Sequence, residues 1–415
     1  MLGLVDDTIC ISEAGYKAQM LNVFFNLKTA EKALQFGTKK CKTLLVGKNV
    51  ESIHRSKLSV DQWKVEHKED NSSVESYMGK VEIDQCEEKK YLGFIISSLD
   101  NNMANIRNIR NKSYGTTRTI FTKLNSLNLR KYYFECGMIF LKVMLRSSIL
   151  YGSETYYNLK EGEIRALERI EEIFMRQLLN TSKGCPIVQI YLELGHIPAR
   201  FDIMKLRLFF LKTILDQEKS SLISRFFYLQ YENPTKSDWA TTCRNDLKEL
   251  DIHLTLKEIK DMTTKKYKEL VKEKCLELAY KYLMKKRGKK GKEIKYQKIE
   301  MATYLSPNNS LNIKEQRKIF EMRNRMTNIP ANYSEKSVNI CVCGQIENMN
   351  HIYECKYLNN EKIEVNYSNI YESDLKDMKI IVNRFETSMK EREKEHHAIH
   401  NCDPPVFVVY KAGNG

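Results

Sequence analysis

Proline and glycine are scarce in this chain, at 7 and 17 of 415 residues. So few turn formers argue against a loop-rich or all-β assembly and for long helices. Tryptophan is rarer still: Trp63 and Trp239 stand alone and are assigned no function. No window reaches the roughly 18 uninterrupted apolar residues of a membrane span. The best candidate, Cys136 to Leu145, is short and contains Lys142. The amino terminus places Asp6 and Asp7 where a secretory signal requires an apolar core. Most of the 11 cysteines are isolated, Cys136 and Cys275 within apolar helical patterns. Such thiols are expected to be small buried hydrophobes in a reducing compartment, not a disulfide framework. Together these absences predict an intracellular chain, nuclear or cytoplasmic, with no membrane partner.

What is present fits a globular protein of two to three domains. Hydrophobic residues make up 42% of the sequence, enough for a real core. Lys and Arg number 68 against 53 Asp and Glu, giving a formal charge of +15. An excess of that size favours polyanions, nucleic acid first.

Along the chain, Leu2 to Val5 and Thr8 to Ile11 are short apolar runs flanking Asp6-Asp7, the pattern of a hairpin with the acids at its tip. Ser12 is an expected N-cap for a helix carrying Tyr16, Met20, Phe24, Leu27 and Leu34 and ending at Gly37. Strands are expected at Thr43 to Val46, around Val81 and Ile83, and from Tyr91 to Ile96. From about residue 101 the period turns helical: Met103, Ile106, Ile120 and Leu124; then Leu129 to Leu150, with Tyr132, Tyr133, Phe134 and Met144 read as core; then Ile164, Leu167, Ile170, Phe174 and Leu178, broken by Gly184 and Pro186. Phe201 to Leu215, Leu256 to Arg287 and Ile313 to Met326 also read as helices. Residues 216–256 read as a less periodic connector, and the polar tail from about 385 as disordered.

Three groups of residues carry chemistry. Adjacent carboxylates at a hairpin tip, Asp6 and Asp7, suit Mg²⁺, a hard cation that takes oxygen ligands. Two such ions about 3.5–4 Å apart can stabilise the attacking and leaving oxygens of phosphoryl transfer; the alternative is a pair of ordinary turn acids. Cys341, Cys343, His351 and Cys355 form C-x-C-x7-H-x3-C, a Cys3His set suited to tetrahedral Zn²⁺ in a structural role, with Gly344 allowing the sharp turn between ligands. A weaker group, His396, His397, His400 and Cys402, lies in the polar tail and is read as solvated. Basic runs come third. Lys281, Lys285, Lys286, Arg287, Lys289, Lys290 and Lys292 form one, with Tyr280 and Tyr282 placed to stack on unpaired bases; the alternatives are a solvated helix end or a nuclear localisation signal. Arg107, Arg110, Lys112 and Arg118 form another.

In their order along the chain, these motifs resemble reverse transcriptases of non-LTR (LINE-type) retrotransposons. Leu4-Val5-Asp6-Asp7 looks like the family's aromatic-x-Asp-Asp palm hairpin, with Leu4 where the family has Tyr or Phe. Thr38-Lys39-Lys40-Cys41-Lys42 is similar to the next palm motif, and Lys40 best matches its lysine near the incoming nucleotide, with Lys42 second. Tyr91-Leu92-Gly93 resembles the primer-grip hairpin, and Leu150-Tyr151-Gly152-Ser153-Glu154 a Leu-Tyr-Gly-x-Glu signature of the thumb region. The segment Leu167 to Leu179 resembles the helix that follows. The family has a similar zinc-binding segment near its end, usually with C-x2-C, so the one-shorter spacing bears on Cys341. The resemblance covers residues 1 to about 360 and implies that Arg107, Arg110, Lys112 and Arg118 contact template–primer backbone.

The expected fold is α+β: a partial palm over 1–100 with a few antiparallel strands and one helix, a helical thumb over 101–215, a helical basic extension over 216–330, a zinc-binding segment at 338–360 and a disordered tail at 385–415. The expected function is that of the carboxy-terminal part of an RNA-directed DNA polymerase, binding RNA and DNA. The family's third catalytic carboxylate and its fingers would precede Met1, so polymerase activity by this chain alone is not expected. The alternative is a helical nucleic-acid- or protein-binding module with a structural zinc.

Overall fold

The computed structural model describes residues 2–4, 7–9, 42–44, 58–67, 73–98, 102–127, 129–287, 294, 296–327, 339–360, 362–363, 365–371 and 375–400. The chain divides into two compact units, residues 1–112 with 159–166, and 113–158 with 167–415. The class is α+β, predominantly helical, with four two-stranded sheets among the described residues. Among the same residues, no helix is long and apolar enough to cross a membrane.

The strands of the first unit are β1 (Leu2–Leu4), β2 (Asp7–Ile9), β3 (Thr43–Leu44), β4 (Leu58–His67), β5 (Ser73–Ile83), β6 (Gln85–Cys86), β7 (Glu88–Tyr91) and β8 (Phe94–Ser97). β1 and β2 pair antiparallel with Leu4 opposite Asp7. β4 and β5 make a long antiparallel ribbon whose register shifts at Gln62/Trp63. The pairing of β3 with β6 is parallel, which departs from the expected all-antiparallel palm. The segment from Tyr91 to Ile96 forms a hairpin about Leu92 and Gly93, with β8 beginning directly after Gly93. Leu92 and Gly93 have φ of 46° and 88°, and two consecutive left-handed residues make the tight turn that twists in step with its strands. The expected helix from Ser12 to Gly37 lies outside the described residues.

Helix α1 (Met103–Ser126) begins in the first unit and ends in the second. Ile106, Ile120 and Leu124 are buried as their spacing predicts, while Met103 is exposed. In the first unit, Asn105 caps the sheet edge by accepting a hydrogen bond from the Ile95 amide at 3.2 Å.

The second unit continues with α2 (Tyr133–Phe140), which runs through a π-helical turn, Leu141–Arg146, into α3 (Ser147–Leu150). Phe134, Met138, Leu141, Leu145 and Ile149 form its buried stripe. The reading of this helix as wholly core is corrected: Tyr132 is 56% exposed, Val143 65%, and Met144 also faces out. Next come α4 (Glu161–Leu179), whose residues up to Ala166 belong to the first unit, then α5 (Ile187–Glu193), α6 (Ala199–Asp216), α7 (Leu222–Glu232), α8 (Trp239–Glu249), α9 (Leu256–Asp261), α10 (Thr264–Lys286), α11 (Ile313–Arg323), α12 (Met349–Glu354) and α13 (Leu375–His400).

Capping explains where these elements start. The supposed connector 216–256 contains α7 and α8 because Ser221 and Asp238 accept the amides of Ser224 and Thr241, satisfying donors that a helix start leaves unpaired. The expected single helix from Leu256 to Arg287 is two helices. Thr255 closes a capping box with Glu258, and Thr263 caps α10 by accepting from Lys266 N. The expected disordered tail is also corrected: residues 385–400 belong to α13, whose Met378, Ile381, Val382 and Phe385 are buried at helical spacing.

Ionic groups are sealed into this unit. Arg146, at the end of the π turn, donates to Glu171 at 2.9 Å, Asp202 at 2.8 Å and the Ile197 carbonyl at 2.8 Å. His196 also contacts its guanidinium. Glu193 accepts from Arg323 at 3.0 Å and from the Tyr296 hydroxyl at 2.9 Å. Removing one partner of such a pair would strand a charge in the core.

Candidate metal centre

The carboxy-terminal part of the second unit gathers Cys341, Cys343, His351 and Cys355 so that one ligand atom from each lies within 4.8 Å of the others. Two local structures achieve this. Asn339 to Glu347 form a tight hairpin: Ile340 bridges Ile346, the Gln345 carbonyl accepts from Cys341 N at 2.8 Å, and Asn339 O accepts from Glu347 N at 2.8 Å. Gly344 closes the turn at φ 83°, a backbone region that favours glycine. The second structure is α12. Asn348 caps it by accepting from His351 N at 2.9 Å, and Cys355, the residue after its last turn, donates its amide to His351 O at 2.7 Å. The x3 spacing thus sets imidazole and thiol one helical turn apart, facing the hairpin.

The distances suit a small tetrahedral ion. Cys341 Sγ and Cys355 Sγ are 3.8 Å apart, and Cys343 Sγ and His351 Nε2 are 3.3 Å apart. Ligands at about 2.3 Å for sulfur and 2.0–2.1 Å for nitrogen would span edges of roughly 3.8 and 3.5 Å. Cys341 and Cys355 are buried while Cys343 and His351 are half-buried. Burial pushes the Cys341 thiol up to about 12. For Cys343, burial acts upward but is outweighed by the Gln345 backbone donor and the neighbouring thiols, leaving its thiol below the ordinary range. A bound cation deprotonates coordinating thiols outright, so three thiolates and an imidazole fit Zn²⁺, and the C-x-C spacing does not keep Cys341 out of the set.

Behind the ligands lies a layer with no clear sequence signal. Glu347, 1% exposed, takes both Arg392 Nε and Nη2 of α13, at 2.9 and 2.8 Å. Arg384 Nε donates to the Tyr353 carbonyl of α12 at 2.8 Å. The Cys/His segment is therefore fastened to α13 by ionic and backbone bonds. Charged residues in a polar run such as EREKEHH read as solvated surface, which is why this contact was not foreseen.

The other expected site residues fare differently. Asp7 is the first residue of β2, and Asp6, Lys40, Lys289 and Lys290 lie outside the described residues. Lys42 pairs with Asp84 at 2.6 Å. Tyr91, Leu92 and Gly93 form the β7–β8 turn. Arg107, Arg110, Lys112 and Arg118 are all exposed on α1, and Arg107 donates to Glu88 at 2.8 Å. Lys285 and Lys286 are exposed at the end of α10.

The reading of Tyr280 and Tyr282 as stacking platforms is corrected. Tyr280 donates to the Tyr296 carbonyl at 2.7 Å. Tyr282 packs edge-on to Phe201 at 5.4 Å, with Lys286 and Arg200 over its ring at 4.3 and 4.9 Å. Arg287 is half-buried and donates to the Ile294 carbonyl at 3.0 Å. In the Leu150-to-Glu154 signature, Trp239 Nε1 donates to Glu154 O at 2.8 Å, which gives that tryptophan a bracing role. The side chains of His396, His397 and His400, and all of Cys402, lie outside the described residues.

No protein-family model, no curated protein and no solved structure matches this chain.

Proposed function

We propose that this chain is a zinc-fastened, nucleic-acid-binding carboxy-terminal portion of a reverse transcriptase of the non-LTR retrotransposon type. The observation that carries the reading is the convergence of Cys341, Cys343, His351 and Cys355 within 4.8 Å, at the end of a long helical region with a strongly basic composition. The order of the remaining motifs supports it: the Asp6-Asp7 pair with Asp7 opening β2, a tight β7–β8 turn, exposed arginines on α1, and the Leu-Tyr-Gly-x-Glu loop ahead of α4. In this reading the zinc is structural, and Arg107, Arg110, Lys112, Arg118, Lys285, Lys286, Lys289 and Lys290 meet phosphates. Asp6 and Asp7 with Mg²⁺, and Lys40, belong to the polymerase chemistry of the longer enzyme.

The test is equilibrium binding of an RNA–DNA template–primer as a function of KCl. Each phosphate contact adds about 0.9 to the slope of log K against log salt for a duplex. Lys285→Ala/Lys286→Ala is expected to weaken binding uniformly across sequences and lower the slope by up to about two. Salt-independent binding, or none, would contradict the reading.

A second reading, a protein-binding helical module, is favoured by one observation. Tyr132, Ile139 and Val143 leave an exposed apolar row along α2 and the π turn, the kind of surface that marks partner contact.

A further inference from the structure

The second unit contains a cleft of about 210 Å³ against α6, α7 and α8. Its inner wall is apolar: Leu211, Phe227, Leu247 and Ile252 are all buried core residues. The Cys243 thiol adds to that wall. Its mouth carries two cations, Arg244 and Lys248, one turn apart on α8, with His253 in the following turn, all three exposed. Arg244 is held in place, its guanidinium 4.7 Å from the Tyr231 ring centroid and donating to the Tyr231 carbonyl at 3.3 Å. No carboxylate lines the cleft. The nearby Asp251 is occupied by His253 at 2.7 Å.

An apolar wall of this kind favours the apolar part of a ligand. A few fixed polar groups at the opening then set the ligand's orientation and charge. A neutral hydrocarbon would use the wall and ignore the mouth. A phosphate or sulfate alone would use the mouth and leave the wall empty. From the combination we infer that this cleft binds a small alkyl carboxylate, its chain against Phe227, Leu247 and Ile252 and its carboxylate between Arg244 and Lys248. The inference is independent of the zinc centre and of nucleic-acid binding.

Isothermal titration of the full chain with sodium octanoate and, separately, with 1-octanol tests it. Saturable octanoate binding is expected, tighter than octanol and weakened by salt. Arg244→Ala/Lys248→Ala should weaken octanoate about tenfold, a change of about 1.4 kcal/mol, and leave octanol unchanged. Leu254→Trp, at a half-buried lining position in the turn, should block both ligands while the thermal melting curve shows an intact fold. Equal affinity for octanoate and octanol, absence of saturable octanoate binding, or an equal loss of both ligands in the double variant would overturn the proposal.

Discussion

Glu347 and Arg392, 45 residues apart in sequence, meet in a buried two-point salt bridge that ties the Cys/His hairpin to α13. Breaking a buried pair on one side costs about 3–5 kcal/mol, because the remaining charge is left without compensation. Arg392→Met is therefore expected to lower the unfolding free energy of the full chain, read from urea denaturation, by that amount. Glu347→Leu/Arg392→Leu should recover much of the loss, since replacing both partners with apolar groups removes the stranded charge. Additive losses in the double variant would show that the two residues do not act on each other.

Gly195 sits at φ +62° beside the bridge between Leu194 and Met301. A Cβ there would overlap the Met301 amide and come within 2.7 Å of Glu300 Cα. The Ala302 amide, which donates to Glu193 O at 2.8 Å, would be displaced with it. Gly195→Ala is expected to cost about 3 kcal/mol from strain and overpacking together. A chemical melt that matches the unsubstituted chain would refute the close approach.

His196 gives the fold a pH dependence. Burial, then the cationic Arg146 beside it, hold the imidazole below its ordinary range. The folded state thus resists a proton that the unfolded chain accepts at about 6.5. The stabilisation is present above that pH and is lost as pH falls from about 6.5 toward the lower folded value. Asp246 works in the opposite sense, because burial raises its carboxyl to about 6. The clean observable is therefore the difference between the chain and His196→Gln, followed by urea denaturation from pH 7.5 to 5. The substituted chain should lose less stability on acidification. Parallel curves would exclude His196 as the source.

Much of this architecture was legible because apolar spacing reports helical faces directly. Ile106, Ile120 and Leu124 are buried on α1, and Leu167, Ile170, Phe174 and Leu178 on α4, as their period requires. The Cys/His spacing likewise marked the four side chains that converge. Buried charge was not legible. Glu171, Glu193 and Glu347 are at most 1% exposed, yet a lone glutamate in a sequence carries no sign of the arginine that will neutralise it. Partner distance also hid α13: its stripe ends at Phe385, and beyond that the helix is held by Arg392 rather than by apolar residues. The tyrosines of α10 misled for a related reason. Tyr282 lies in a basic run, but Phe201 supplies the ring it packs against.

The candidate metal centre underlies the proposed function, and its occupancy is directly measurable. Elemental analysis of the full chain, purified without added metal and freed of loosely bound ions, should find about one zinc per chain. Cys355→Ser should lose it, together with the near-ultraviolet charge-transfer bands that cobalt substitution gives a thiolate site. A metal-free chain whose thermal melt is unmoved by zinc or by a chelator would contradict the account.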